Sequence, residues 1–179
     1  MASIANLGNY SPEDVVMIIS SRPGAPKQFS HTVSGFADGT FISFDRAVER
    51  ATLYTGADLS AARVLRRNKS GTITVTLHGA AESNDVFSEL ARLDEEAHNN
   101  DYLFTVTIKD MLGRSVFFAP QAFLGNDPSV SYGTDLEMRE WTISVVNAQR
   151  HIGGNSILSP DNVAILTDFG YNVEDRWKS

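Results

Sequence analysis

Between Gly71 and His78 the chain alternates without a break: Ile73, Val75 and Leu77 fall on one side, Thr72, Thr74, Thr76 and His78 on the other. A period of two is the mark of a strand with one face in a core. The pattern returns at residues 140–147, where Trp141, Ile143 and Val145 share a face opposite Thr142 and Ser144. Such strands need a sheet that is apolar on one side and lined with hydroxyls on the other, and they set the class of the chain as mainly β.

The rest of the chain fills in around them. VVMIIS at residues 15–20 reads as a strand buried on both faces. Residues 21–26 hold Pro23, Gly24 and Pro26 and must be a loop. Residues 29–36 and 40–45 are strand-like and flank Asp38-Gly39, a pair that tolerates the positive φ of a tight turn, so a hairpin is predicted there. Residues 46–71 are less regular, with a short strand at 51–55, a Gly56-Ala57-Asp58 turn and a basic segment carrying Arg63, Arg66, Arg67 and Lys69. Ser83-Asn84-Asp85 supplies N-cap residues for a helix whose apolar stripe is Val86, Leu90, Leu93 and Ala97, ended by Asn99-Asn100-Asp101. Strands at 103–109 and 114–124 follow, joined by a turn at 110–113.

The core domain is expected to end at residue 148, with 149–179 as a C-terminal extension. Gly153-Gly154 reads as a flexible corner, and residues 163–169 as a short helix or strand. At 179 residues one domain of this kind has enough chain to bury a core.

Little in the sequence resembles an active site. His31, His78, His98 and His151 fall in no metal-ligand spacing, and there is no GxSxG, Walker A or GxGxxG run. The acidic run Asp94-Glu95-Glu96 reads as a solvated helix face rather than acid–base machinery. No catalytic, cofactor or metal site is therefore expected. With 15 Lys and Arg against 22 Asp and Glu, the net charge of −7 disfavours a nucleic-acid coat, which needs clustered cations. The cations at Arg63, Arg66, Arg67 and Lys69 fit a salt contact with a protein partner better than phosphate binding. The chain has no cysteine, which suits a reducing compartment. Its first fifteen residues lack the basic and apolar regions of a signal peptide, so folding in a cytoplasm is expected. The hydroxyl face, with Thr105 and Thr107 added, is either solvent-exposed or the lining of a water-filled passage.

The order of SPEDV (residues 11–15), SGFADGTF (34–41), TGAD (55–58), KSGTITVTL (69–77), ESND (82–85) and EWTISVVNA (140–148) resembles the tail tube proteins of contractile-tailed bacteriophages. The likeness spans about residues 10–148. It implies a β-sandwich or barrel-like fold with one flanking helix, and strands that merge into a ring-wide barrel on oligomerisation. It implies a structural, non-enzymatic subunit whose hexameric rings stack into a hollow conduit for DNA ejection inside a sheath. Baseplate or initiator, tape-measure and terminator proteins would be further partners. The location would be the virion tail, assembled in the host bacterial cytoplasm.

On this likeness the residue 29–45 hairpin would give barrel strands. The 46–71 loop, with Thr55, Gly56, Asp58, Arg63, Arg66 and Arg67, would reach a neighbouring subunit or ring. Thr72, Thr74, Thr76, Thr142 and Ser144 would face the lumen. Leu59 stands where the family pattern leads one to expect glycine, and the extension after residue 148 exceeds the family core. That extension is expected to contact an adjacent subunit through Phe169, Tyr171 and Trp177. The alternatives are a DNA-free contractile or type VI-like secretion tube and, from another class, a monomeric β-barrel binding protein.

Overall fold

The structure, a computed structural model, describes residues 7–179; the signal-peptide reading therefore falls partly outside the described residues. It is mainly β. Among the described residues ten strands and two α-helices follow in the order β1 (Val15–Ser21), β2 (Ser30–Thr32), β3 (Ile42–Arg46), β4 (Ala51–Thr55), β5 (Ala61–Leu65), β6 (Gly71–His78), α1 (Ser83–Ala97), β7 (Phe104–Asp110), β8 (Val116–Asn126), β9 (Met138–Val146), β10 (Gln149–His151) and α2 (Pro160–Asp168). The main sheet runs β2-β1-β7-β8-β9-β6-β3, with β10 on β8, and β4 and β5 form a separate pair. By internal contacts the chain falls into two units. One comprises Met17–Ile108 and Phe117–Arg150, the other residues 7–16, Lys109–Val116 and His151–Ser179.

The larger unit holds the core. β6 alternates as its sequence requires, with Ile73, Val75 and Leu77 fully buried and the threonines half-buried. β6 and β9 pair antiparallel over the whole of β6, Gly71 opposite Val145 and His78 opposite Met138. Trp141, Ile143 and Val145 join the β6 residues inside, with Met17, Ile19, Phe104 and Val106 from β1 and β7. In β1, however, only Met17 and Ile19 are buried, so the strand is covered fully on one face rather than on both.

The expected hairpin does not form. β2 pairs with β1, and β3 pairs with β6, at opposite ends of the sheet order. The chain between them changes partner within a few residues. Val33 donates its N–H to the Met17 carbonyl, whereas the Gly35 carbonyl accepts from His78 and Ala37 donates to the Thr76 carbonyl. Asp38-Gly39 is thus an irregularity in the run alongside β6, and the segment draws the two ends of the sheet together. Gly35 makes the crossing possible: its φ is +80°, and a Cβ there would lie 2.2 Å from the Ala81 Cβ.

α1 packs its Phe87 and Leu90 into the same core, with Val86 partly buried beside them. The expected stripe lacked Phe87. Ser83 does not cap the helix. Its hydroxyl is fully buried, accepts the Ser34 N–H at 2.9 Å and lies 2.9 Å from His31 Nε2. Glu82 holds the cap position without a side-chain bond. His98, at φ 50°, ends the helix ahead of the expected Asn99.

In the smaller unit, α2 starts at a Ser159 cap with Pro160 in its first turn, which settles the helix-or-strand question for the tail as a helix. Gly153 is no loose corner, because its carbonyl and N–H both bond the Ser115 hydroxyl, at 2.8 and 3.1 Å. Arg114 donates to the Ser156 carbonyl at 2.6 Å and stacks 4.9 Å over the Trp177 ring.

Candidate functional site

Two features stand out on the surface of the larger unit. The first is an arm. β4 and β5 pair from Ala51 opposite Leu65 to Thr55 opposite Ala61, outside the main sheet. The sequence shows β4 but hides β5, because AARVL lacks alternation and sits among cations. Every residue of β5 is exposed, and Leu53, Tyr54 and Leu59 project from the arm with 77%, 62% and 85% of their surface free. A two-stranded ribbon is marginal by itself in water, and exposed apolar residues on it mark a contact surface.

The predicted loop residues all belong to the arm or its base. Thr55 closes β4, Gly56 and Asp58 form the tip, Arg63 lies in β5, and Arg66 and Arg67 follow it. At the tip Asp58 Oδ1 accepts from the Ser60 hydroxyl at 2.6 Å and from its N–H at 3.1 Å. Those bonds hold the Asp58 carboxyl below the usual carboxylate range. Leu59 takes φ 64°, the left-handed conformation that favours glycine. The missing family glycine therefore falls where a glycine conformation is in fact adopted.

At the arm's base the side chains form a cleft of about 760 Å³. Arg46, Arg50, Arg66, Arg67, Lys69 and Arg150 line it, with Phe44 and Leu65 as apolar wall. Arg46 donates through Nε to the Asn68 carbonyl at 2.9 Å and also reaches the Arg66 carbonyl, which fixes the loop that carries Arg66, Arg67 and Lys69. Arg150 stacks 5.2 Å over Phe44. None of the six forms an ion pair among the described residues. The basic run at residues 63–69 pointed to part of this cleft. Arg46, Arg50 and Arg150 were missed because only the meeting of β3, the start of β4, the segment after β5 and β10 brings them together.

The second feature is the hydroxyl face. Thr72 lies opposite Ser144 and Thr74 opposite Thr142. The rows continue sideways: Asp45 beside Thr72 and Phe123 beside Ser144, Ser43 beside Thr74 and Asn126 beside Thr142. Thr76 faces Glu140. The five predicted residues thus form one continuous patch, all half-buried, whose charged members in these rows are Asp45 and Glu140. Thr105 is spoken for, its hydroxyl donating to the Ser20 carbonyl at 3.2 Å.

On α1 the acidic run divides. Glu96 pairs with Arg92 at 2.6 Å, and burial pushes Asp94 above its ordinary value. Glu89 also pairs with Arg92, which holds its carboxyl low. Among the described residues no three His, Asp or Glu side chains gather as a metal site, and no helix is long and apolar enough to cross a membrane.

In the tail the three expected anchors part company. Trp177 is buried within its own unit and Tyr171 stacks on His151 at 4.4 Å, so Phe169, 81% exposed, is left as the free aromatic.

The model of the bacteriophage PhiTE tail tube protein family matches residues 7–153. Structural protein ORF10 of Pseudomonas phage KPP10 is 36% identical over 168 residues, spanning 94% of this chain and 95% of that protein. Among solved structures, the tube-terminating cap of the anti-feeding prophage aligns with 84% of this chain and 99% of its own at 13% identity and a TM-score of 0.46. A chain of the PVC sheath–tube complex, an extracellular contractile injection system in its extended state, aligns with 80% and 91% at 15% identity and a TM-score of 0.43.

Proposed function

This chain belongs to the bacteriophage PhiTE tail tube protein family, and on that premise we propose that its copies close into hexameric rings that stack into the tail tube of a contractile-tailed phage. The observation that carries this reading is the arm. A paired ribbon with exposed Leu53, Tyr54 and Leu59 has no packing of its own to hold it, and burial against a neighbouring subunit supplies it. A ring built by one repeated head-to-tail contact closes by rotation.

The hydroxyl face fits the lumen of such a tube. Thr72, Thr74, Thr76, Thr142 and Ser144 offer water-like partners, and the acids in the same rows are Asp45 and Glu140. A wall that presents hydroxyls and negative charge gives phosphates no cation array to bind, so DNA passes without being held. The strands bearing this face would merge with those of neighbours into the ring-wide barrel, and a sheath would enclose it. Terminator, initiator and tape-measure proteins would meet the tube at its ends and within it. The 149–179 extension would add a contact to an adjacent subunit through Phe169.

Electron microscopy of the purified protein, with its mass in solution, tests the reading. Rings or tubes with a central hole are expected. A dispersed monomer at every salt and concentration tried, with or without a tube initiator, would overturn it. Removal of residues 150–179 is expected to weaken assembly, and unchanged assembly would end the role given to the tail.

A further inference from the structure

The cationic cleft at the base of the arm is a distinctive feature of the larger unit. Six cations converge there in a chain whose net charge is −7, and none has a carboxylate partner among the described residues. Asp45 and Glu49 are the nearby acids in sequence, and they leave a clear positive excess. The cleft lies where β6 begins and β9 ends, beside Lys69 and residues 147–150.

At the other end of the same two strands lies the connection from β8 to β9. Residues 127–137 read DPSVSYGTDLE, with Asp127, Asp135 and Glu137 and no Lys or Arg. Val130, Tyr132 and Leu136 project from it, Tyr132 with 90% of its surface free. Glu137 is anchored by its carbonyl, which accepts the Gly79 N–H at 2.7 Å just beyond β6. Nine residues of β9 separate this loop from the cleft, about 30 Å at the rise of a strand.

One copy therefore carries a positive cleft with an apolar wall at one end of its strands. It carries a negative loop with apolar tips at the other. We infer that the cleft seats the 127–137 loop of a second copy stacked head to tail along the strand direction. Phe44 and Leu65 receive the apolar tips, and the cations receive Asp127 and Asp135. The contact is heterologous, so it repeats without limit along a stack. Exposed charges steer such an encounter and fix its register, and salt weakens them. This inference rests on the stacked-tube reading and assigns it the residues that join one ring to the next.

Charge reversal tests it. Arg66→Glu, Arg67→Glu and Arg150→Glu together are expected to cut tube yield by about tenfold or more while leaving single rings intact. Asp127→Lys, Asp135→Lys and Glu137→Lys are expected to do the same, and the two sets combined to restore tubes. Thermal melting verifies that each variant folds. Because the chain has no cysteine, a disulfide gives a second readout that does not depend on charge. Ser131→Cys in the loop and Gln149→Cys at the cleft, in one chain, should give ladders of linked copies on oxidation. Wild-type tubes with neither restoration nor ladder would overturn the inference and leave the tube reading standing. Wild-type protein that forms neither rings nor tubes would overturn both. Uptake of short duplex DNA that is lost on cleft reversal while tubes persist would assign the cations to nucleic acid instead, against the inference.

Discussion

The indole N–H of Trp141 donates to Oδ1 of Asn84 at 2.9 Å. One bond thus joins the centre of β9 to the first turn of α1, and Asn84 Nδ2 extends it to the His78 carbonyl at 3.0 Å. Phe87 completes the joint, its ring 5.3 Å from that of Trp141. Asn84→Ala would leave a buried indole donor without a partner, at a cost of about 2 kcal/mol. A lowered melting temperature with a red-shifted Trp141 emission is expected. Asn84→Asp keeps the acceptor and should recover part of the loss.

Gly71 opens β6 directly against β3. A Cβ there would stand 2.3 Å from the Asp45 carbonyl and 2.6 Å from the Phe44 ring. Gly71→Ala must push β3 from β6 and is expected to destabilise the fold by about 2 kcal/mol. Urea denaturation should show the lower midpoint. An alanine variant with unchanged stability would show that β3 yields to the added methyl without loss of its pairing with β6.

Leu59 holds a left-handed conformation that costs a non-glycine residue about 1 kcal/mol. Leu59→Gly should relieve it. The Gly56 amide, which donates to the Ser60 carbonyl at 2.8 Å across the tip, is expected to exchange about fivefold more slowly. The melting temperature of the whole chain should stay the same, since the arm opens locally.

Asp58 titrates below its ordinary value of 3.8 because Ser60 bonds its ionised form. The tip gains this stabilisation in full above 3.8 and loses it as pH falls through the lower, folded value. Carboxyl chemical shifts of Asp58 followed by NMR should give a midpoint under 3.8, and Ser60→Ala should move it back up.

Trp177 is 9% exposed and anchors the end of the chain in the smaller unit. Trp177→Ala removes the ring under Arg114 and should cost that unit about 3–5 kcal/mol. Limited proteolysis is expected to trim residues 157–179 from the variant well before it cuts the strands of the larger unit.

The sequence by itself determined the alternation of β6 and β9, the existence of α1, β7 and β8, and the pairing of hydroxyls on one side with aliphatics on the other. These are local facts: a period of two or of about four along a few residues carries them. It also carried the order of motifs by which the tail tube family was legible. Tertiary structure decided what partners each segment takes. Asp38-Gly39 has the chemistry of a hairpin turn, yet its flanking strands pair with β1 and β6 instead of with each other, and they part to opposite ends of the sheet order. Ser83 has the chemistry of a cap, but its burial beside His31 and Ser34 turned its hydroxyl inward. The cationic cleft joins Arg46 to Arg150 across a hundred residues of chain, a juxtaposition no local pattern contains, because it exists only where strands distant in sequence meet.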